Sequence, residues 1–162
     1  MDSEELHQLF QRMQHCLWED EYREDKDPTP SEFPALLREY IAQGGDLNYA
    51  DPVGGFTLLL LTCEYQDAPA ARLLLEAGAD VNCEGGKGFS PFALAQDSVL
   101  DGSMQTGTPI DWAILKVLLE HGADIHQGIP EGQTFEWHYT QRWGPEMVKG
   151  LLDVVEKHRR TK

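Results

Sequence analysis

Carboxylates are the side chains most available for chemistry in this chain, with 28 Asp and Glu against 13 Lys and Arg. Three aspartates stand in one recurring setting: Asp46 in "QGGDLN", Asp80 in "LLEAGADVN" and Asp124 in "LLEHGADIH". A lone aspartate behind a leucine run could act as a general base or a metal ligand. Recurrence at separations of 34 and 44 residues argues for a scaffold position instead, because catalytic groups tend to be single. His121 and His126 lie five apart and could begin a metal site, but no third ligand stands near them. Cys16, Cys63 and Cys83 are odd in number and form no Cys-x-x-Cys pair, so they read as reduced thiols. "EGGKGFS" imitates a phosphate loop, yet Lys87 is followed by Gly and Val81 stands where the first Gly belongs. The acids of residues 19–27 lack the glycine and terminal Glu of a calcium loop. No catalytic residue, metal ligand or cofactor site emerges, and an enzyme is not expected.

The positions around the aspartates describe the elements that hold them. A second series runs beside the first: "GFTLLLLTC" from Gly55, "GFSPFALAQ" from Gly88 and "GQTFEWHYT" from Gly132. Its separations are 33 and 44 residues, so both series have a period near 33 with about 11 extra residues in the third unit. Thr57, Ser90 and Thr134 are placed to cap a helix start, and Pro91 suits a first helical turn. Leucines at 73–75 and 118–119 give a second helix its apolar face. Gly44, Gly78 and Gly122 supply a left-handed helix end, and the Asp and Asn that follow turn the chain into a hairpin loop. Cys63 and Cys83 read as small core residues.

These residues resemble the ankyrin repeat. The finish of that motif is matched at Gly78-Ala79-Asp80-Val81-Asn82, and also at Gly122–His126 and Gly44–Asn48. Its start is best kept at Gly88–Ala95, where Ser90-Pro91 stands for Thr-Pro. The resemblance covers roughly residues 30–160. It implies an all-α solenoid of about three to four helix-pair units, with the loop tips and first helices forming a binding surface.

Three segments depart from the motif. Residues 1–29 form an N-terminal unit in which Leu6, Leu9, Phe10, Met13 and Leu17 recur at helical spacing, with Ser3 placed as a cap. Such a helix would cover the open face of the first repeat. Its acidic continuation, residues 19–27, reads either as a solvated linker or as a docking element. Within the repeat domain, residues 30–162, an insertion falls at about 98–108. It reads as a projecting loop at 98–107, with Thr108-Pro109 capping a lengthened second helix and Trp112 as an anchor at its edge. In the last unit Phe135, Trp137, Tyr139 and Trp143 crowd four aromatics into nine residues, sealing the core or offering interface anchors. "EKHRRTK" reads as the end of a final helix, where cations favour the negative end of the dipole.

Charge bears on the partner. The net charge is −15, with 25 acidic and 7 basic residues in 1–141 but 3 acidic and 6 basic in 142–162. So negative a surface disfavours nucleic acid and favours a basic protein, although acidity also serves solubility. The start "MDSEELHQLF" lacks the features of a signal peptide, and "FTLLLLTC" is too short to span a bilayer, so a cytoplasmic protein with no membrane partner is expected. The resemblance implies partner contacts at the tips, Tyr49, Asp51, Phe56, Glu84, Phe89, Ile129 and Glu131. The first helices would add Glu64, Tyr65, Asp97, Trp137 and His138, with Trp112 beside the insertion. Small acidic ankyrin proteins of this kind look like immunity proteins of bacterial polymorphic toxin systems. That likeness implies a one-to-one heterodimer in which the acidic face occludes the cleft of a basic toxin. A general ankyrin adaptor is the alternative.

Overall fold

The computed structural model describes residues 3–21, 31–85 and 88–161, and these form eight helices with no strand among them. In chain order they are α1 (Ser3–Glu21), α2 (Phe33–Ala42), α3 (Leu58–Glu64), α4 (Ala68–Glu76), α5 (Pro91–Thr106), α6 (Ala113–Glu120), α7 (Phe135–Trp143) and α8 (Pro145–Thr161). Consecutive helices pair, α1 with α2, α3 with α4, α5 with α6 and α7 with α8, and the pairs stack. The second helices α2, α4, α6 and α8 touch in sequence along an outer row. The first helices α1, α3 and α5 touch along an inner row, which α7 extends through Phe135 packed on Phe92. This is the all-α solenoid expected from the sequence.

Local chemistry fixes where each helix begins. Thr57, Ser90 and Thr134 have extended backbones, and their hydroxyls accept from the amides of Leu60, Ala93 and Trp137. Each satisfies one of the orphan donors of a first turn, worth about 1 kcal/mol. Asp67 does the same for α4, accepting from the Ala70 amide at 3.0 Å. Helix ends follow the expected glycines: Gly44, Gly78 and Gly122 have φ of 73°, 105° and 88°.

A single apolar core runs through the stack. Leu59, Leu60 and Cys63 of α3, Leu74 of α4, Phe92 and Leu100 of α5, and Leu115 and Leu118 of α6 are all buried within it. On α1 the buried residues are Leu9, Phe10, Met13 and Leu17, the expected helical series. α1 is more than a cover, however. It is the first helix of the first pair, with the Phe10 ring edge-on to Tyr49 at 5.0 Å and tilted on Tyr40 at 6.4 Å. Ser3, expected as a cap, is the first residue of α1 as described. Of the acidic segment 19–27, residues 22–27 lie outside the described residues.

The insertion departs from expectation. Residues 98–106 are helical and continue α5, which at 16 residues is about twice as long as α3 at 7. Val99 and Leu100, 2% and 0% exposed, carry the apolar register onward into the core. Helix formation here is decided by that burial, which outweighs the weak intrinsic preference of Ser98, Gly102, Ser103 and Thr106. The Gln66 side chain fastens the extension by donating to the Ser98 carbonyl at 3.0 Å. Gly107, with φ 69°, ends the helix. Thr108-Pro109 therefore caps nothing. α6 keeps 8 residues and starts after Trp112, with the Asp111 carboxylate accepting from the Ala113 amide at 2.9 Å.

Candidate protein-binding surface

The hairpin loops are built from the recurring aspartates. Asp46, Asp80 and Asp124 each turn a carboxylate oxygen back to the amide two residues on, at 3.0, 2.9 and 2.9 Å. All three are structural turns, as their recurrence implies. The asparagines that follow have a role the sequence reading missed. Asn48 Oδ1 accepts from the Asp80 amide and Asn82 Oδ1 from the Asp124 amide, both at 2.8 Å. Each asparagine thus ties its loop to the next unit. His126 stands at the third such position, where the described residues contain no further loop of this kind.

Of the thirteen residues expected to meet a partner, Glu64, Glu84, Glu131 and Trp137 are exposed, and Trp137 keeps 52% of its surface in water. Phe56, Tyr65, Phe89 and Ile129 are half-buried and packed on the core. Tyr49 is also half-buried; its hydroxyl meets His7 Nδ1 at 3.1 Å, holding α1 to the first loop. Asp51 folds its own loop, accepting from the Gly54 amide at 2.6 Å. Trp112 lies away from the inner row, over Gly150 and beside a cavity of about 390 Å³ between α6 and α8. A Cβ on Gly150 would stand 2.9 Å from the Trp112 ring, so the glycine makes room for it.

Asp97 and His138 meet at the junction of α5 and α7. Asp97 pairs with Arg142 at 3.0 Å, its carboxylate well sheltered and the guanidinium half in water. Burial raises the Asp97 pKa above its ordinary value, while Arg142, the Trp143 indole and His138 oppose the rise. The Trp143 N–H acts on that carboxylate without reaching hydrogen-bonding geometry. Arg142 also lies 5.0 Å from the centroid of the Trp143 ring. His138 Nδ1 meets Gln133 Oε1 at 2.9 Å. Burial, reinforced by the charge of Asp97, pushes the Tyr139 phenol up to about 12. The sequence reading missed Arg142, although it is the one Lys or Arg on α3, α5 and α7.

The inner row is acidic, whereas the outer row is close to neutral. Along the inner row and hairpins from 51 to 136 stand Asp51, Glu64, Glu84, Asp97, Asp101, Asp111, Glu131 and Glu136. The outer helices α4, α6 and α8 carry Arg72, Lys116, Lys149, Lys157, Arg159 and Arg160, nearly balanced by Glu76, Glu120, Glu146, Asp153 and Glu156. Arg72 bridges α4 to Glu120 of α6 at 2.7 Å, and three of the cations close α8.

Among the described residues no three His, Cys, Asp or Glu side chains gather to hold a metal, and no helix is long and apolar enough to cross a membrane. Cys63 is fully buried and Cys83 half-buried, and burial pushes both thiols up, away from the reactive thiolate.

Residues 54–85, which run from one hairpin across α3 and α4 to the next, match the family model of the ankyrin repeat. This segment is similar to an ankyrin repeat. Similar stretches occur in the neurogenic locus Notch protein of Drosophila melanogaster, 35% identical over 78 residues, and in neurogenic locus notch homolog protein 1 of Homo sapiens and of Mus musculus, each 35% identical over 72 residues. The matches take in 47% of this chain for the fly protein and 44% for the other two, but only 3% of each relative's own length. Ankyrin repeats mediate binding to other proteins, and the stacked pairs here provide such a scaffold.

Proposed function

We propose that the chain binds a basic protein through the hairpins and the inner row of helices. The uneven charge of the two rows carries this reading: carboxylates line the hairpins and first helices, while most of the cations sit on the outer helices. A surface of one sign draws an oppositely charged partner into encounter, and an exposed aromatic such as Trp137 then slows its release. The mechanism is occlusion. A stiff acidic face set into the partner's basic cleft excludes the polyanion that cleft would otherwise hold. In its most specific form the chain is a cytoplasmic immunity protein that neutralises a toxin in a one-to-one complex.

An adaptor function uses the same surface and fits the ankyrin architecture equally well. The two readings separate in one experiment, affinity capture from the native host with identification of the retained chains. Immunity requires a basic protein retained at equal stoichiometry whose enzymatic activity disappears on mixing. A retained partner that keeps its activity establishes the adaptor. Capture of acidic or neutral partners alone overturns the electrostatic reading in both forms.

A further inference from the structure

Measured from their caps, α3 ends 7 residues beyond Thr57, α7 ends 9 beyond Thr134, and α5 ends 16 beyond Ser90. At about 1.5 Å per residue, the end of α5 overhangs both inner-row neighbours by roughly 10 to 14 Å. Ordinary stacking does not require this overhang. Its buried residues stop at Leu100, and the turns beyond pack no apolar side chain into the core.

The overhang is nonetheless well held. Gln66, at the turn between α3 and α4, adopts a left-handed φ of 58° and reaches across to the Ser98 carbonyl. Gly102 leaves the space that arm needs, because a Cβ there would stand 3.2 Å from Gln66 Nε2. The Ser103 hydroxyl donates to the Thr108 carbonyl at 2.7 Å, fixing the return strand of chain behind the helix. With Ser98 and Gly102 turned toward Gln66, the spacing of Asp97, Asp101 and Met104 puts these three on one adjoining face. Met104 keeps 61% of its surface in water, one of the few large apolar side chains so exposed. Glu64 occupies on α3 the position of Asp97 on α5, seven residues past its cap, and so extends the same acidic ridge. α5 bears no Lys or Arg.

We propose that this overhang is a docking ridge for a basic amphipathic helix of the partner, which seats an apolar side chain on Met104 and sets its lysines or arginines over the exposed Asp101 and Glu64. The inference rests on the protein-binding reading above and names the partner's chemistry. A rigid ridge with one apolar anchor at its tip and carboxylates behind it matches a helix laid alongside it. Because the ridge is already ordered, little conformational freedom is lost on its side when it binds.

The test uses a labelled synthetic peptide of lysine and leucine, about five turns of amphipathic helix in length, titrated against the full chain and two double variants. One variant combines Asp101→Asn with Met104→Ser, and the other, on the outer helices, combines Glu39→Gln with Glu76→Gln. All four side chains are exposed, and circular dichroism checks that both variants stay folded. The expected result is a loss of roughly tenfold or more in affinity for the first variant. The second should bind nearly as the parent does. In the parent, hydrogen exchange should show protection on binding at 98–106. Full-strength binding by the first variant, or protection confined to the hairpins, overturns the ridge and leaves a basic-partner surface elsewhere. A peptide that binds none of the three proteins also overturns it. If captured host proteins are basic even so, the protein-binding reading survives that failure.

Discussion

Gly78 shows what a single position owes to backbone geometry alone. Its φ is 105°, and a Cβ built there meets nothing within 4 Å, so space is not the constraint. Gly78→Val should therefore destabilise the stack through strain, by about 1 to 3 kcal/mol. A urea midpoint unchanged from the parent would refute that. Asp97 makes a different case, because its environment pulls both ways. Burial raises its pKa and Arg142 lowers it, with burial the larger effect. Raised in the folded state, this group takes up its proton more readily there than in the unfolded chain. Its contribution to stability is thus most favourable below the ordinary value of 3.8 and is lost as pH rises through the folded pKa. Asp97→Asn is accordingly expected to melt no lower than the parent at neutral pH, with any advantage shrinking toward pH 3.8 and below. Melting curves across that range that show Asp97→Asn the less stable at neutral pH would mean that Arg142 outweighs burial. Tyr40 and Tyr139, both pushed up to about 12 mainly by burial, carry the same logic to alkaline pH. Each phenol stays protonated in the fold while it ionises near 10.0 in the unfolded chain, so both withdraw stability between about 10 and 12.

At the scale of elements, legibility followed locality. The caps Thr57, Ser90 and Thr134 act three residues away, and Gly44, Gly78 and Gly122 act on their own backbone, so a sequence pattern contains both. The end of α5 was misread for the opposite reason. Ser98, Gly102 and Ser103 suggest a loop, and what makes them helical is the burial of Val99 and Leu100 together with the reach of Gln66 from 32 residues away. The asparagine ties were missed although their spacing was visible, because Asn48 and Asn82 act on the next unit and not on their own turn. Asn82→Ala removes the acceptor of the Asp124 amide while sparing the Asp80 turn, whose carboxylate receives the Asn82 main-chain N–H. The expected cost is about 1 kcal/mol, read as a lower urea midpoint at unchanged slope. A steeper or shallower slope would show that the units had come uncoupled rather than weakened.

Across the whole molecule the uneven charge of the two rows does what no single residue can. Scattered evenly, a net charge of −15 would repel and attract without direction. On the hairpins and inner row of the described residues carboxylates stand with few cations among them, an arrangement suited to orienting the basic partner proposed above, while Arg72, Lys116 and the cations of α8 are interleaved with carboxylates on the outer helices. The candidate site was legible in the sequence to this extent: the net charge and the tip carboxylates Glu84 and Glu131 were read from it, whereas the unevenness between the rows needed the helices stacked. Both tip residues are exposed. Glu84→Gln with Glu131→Gln should therefore melt as the parent does. Its effect should fall on association with a captured basic partner, slowing the on-rate several-fold at low salt. Raising ionic strength shortens the reach of exposed charges to about 8 Å near 0.15 M, so the gap between variant and parent should narrow as salt is added. Stopped-flow association at several salt concentrations measures this directly. Rates that neither salt nor the double variant alters would show that the partner is held by shape and apolar contact, and that the acidity of this surface serves only to keep the chain in solution.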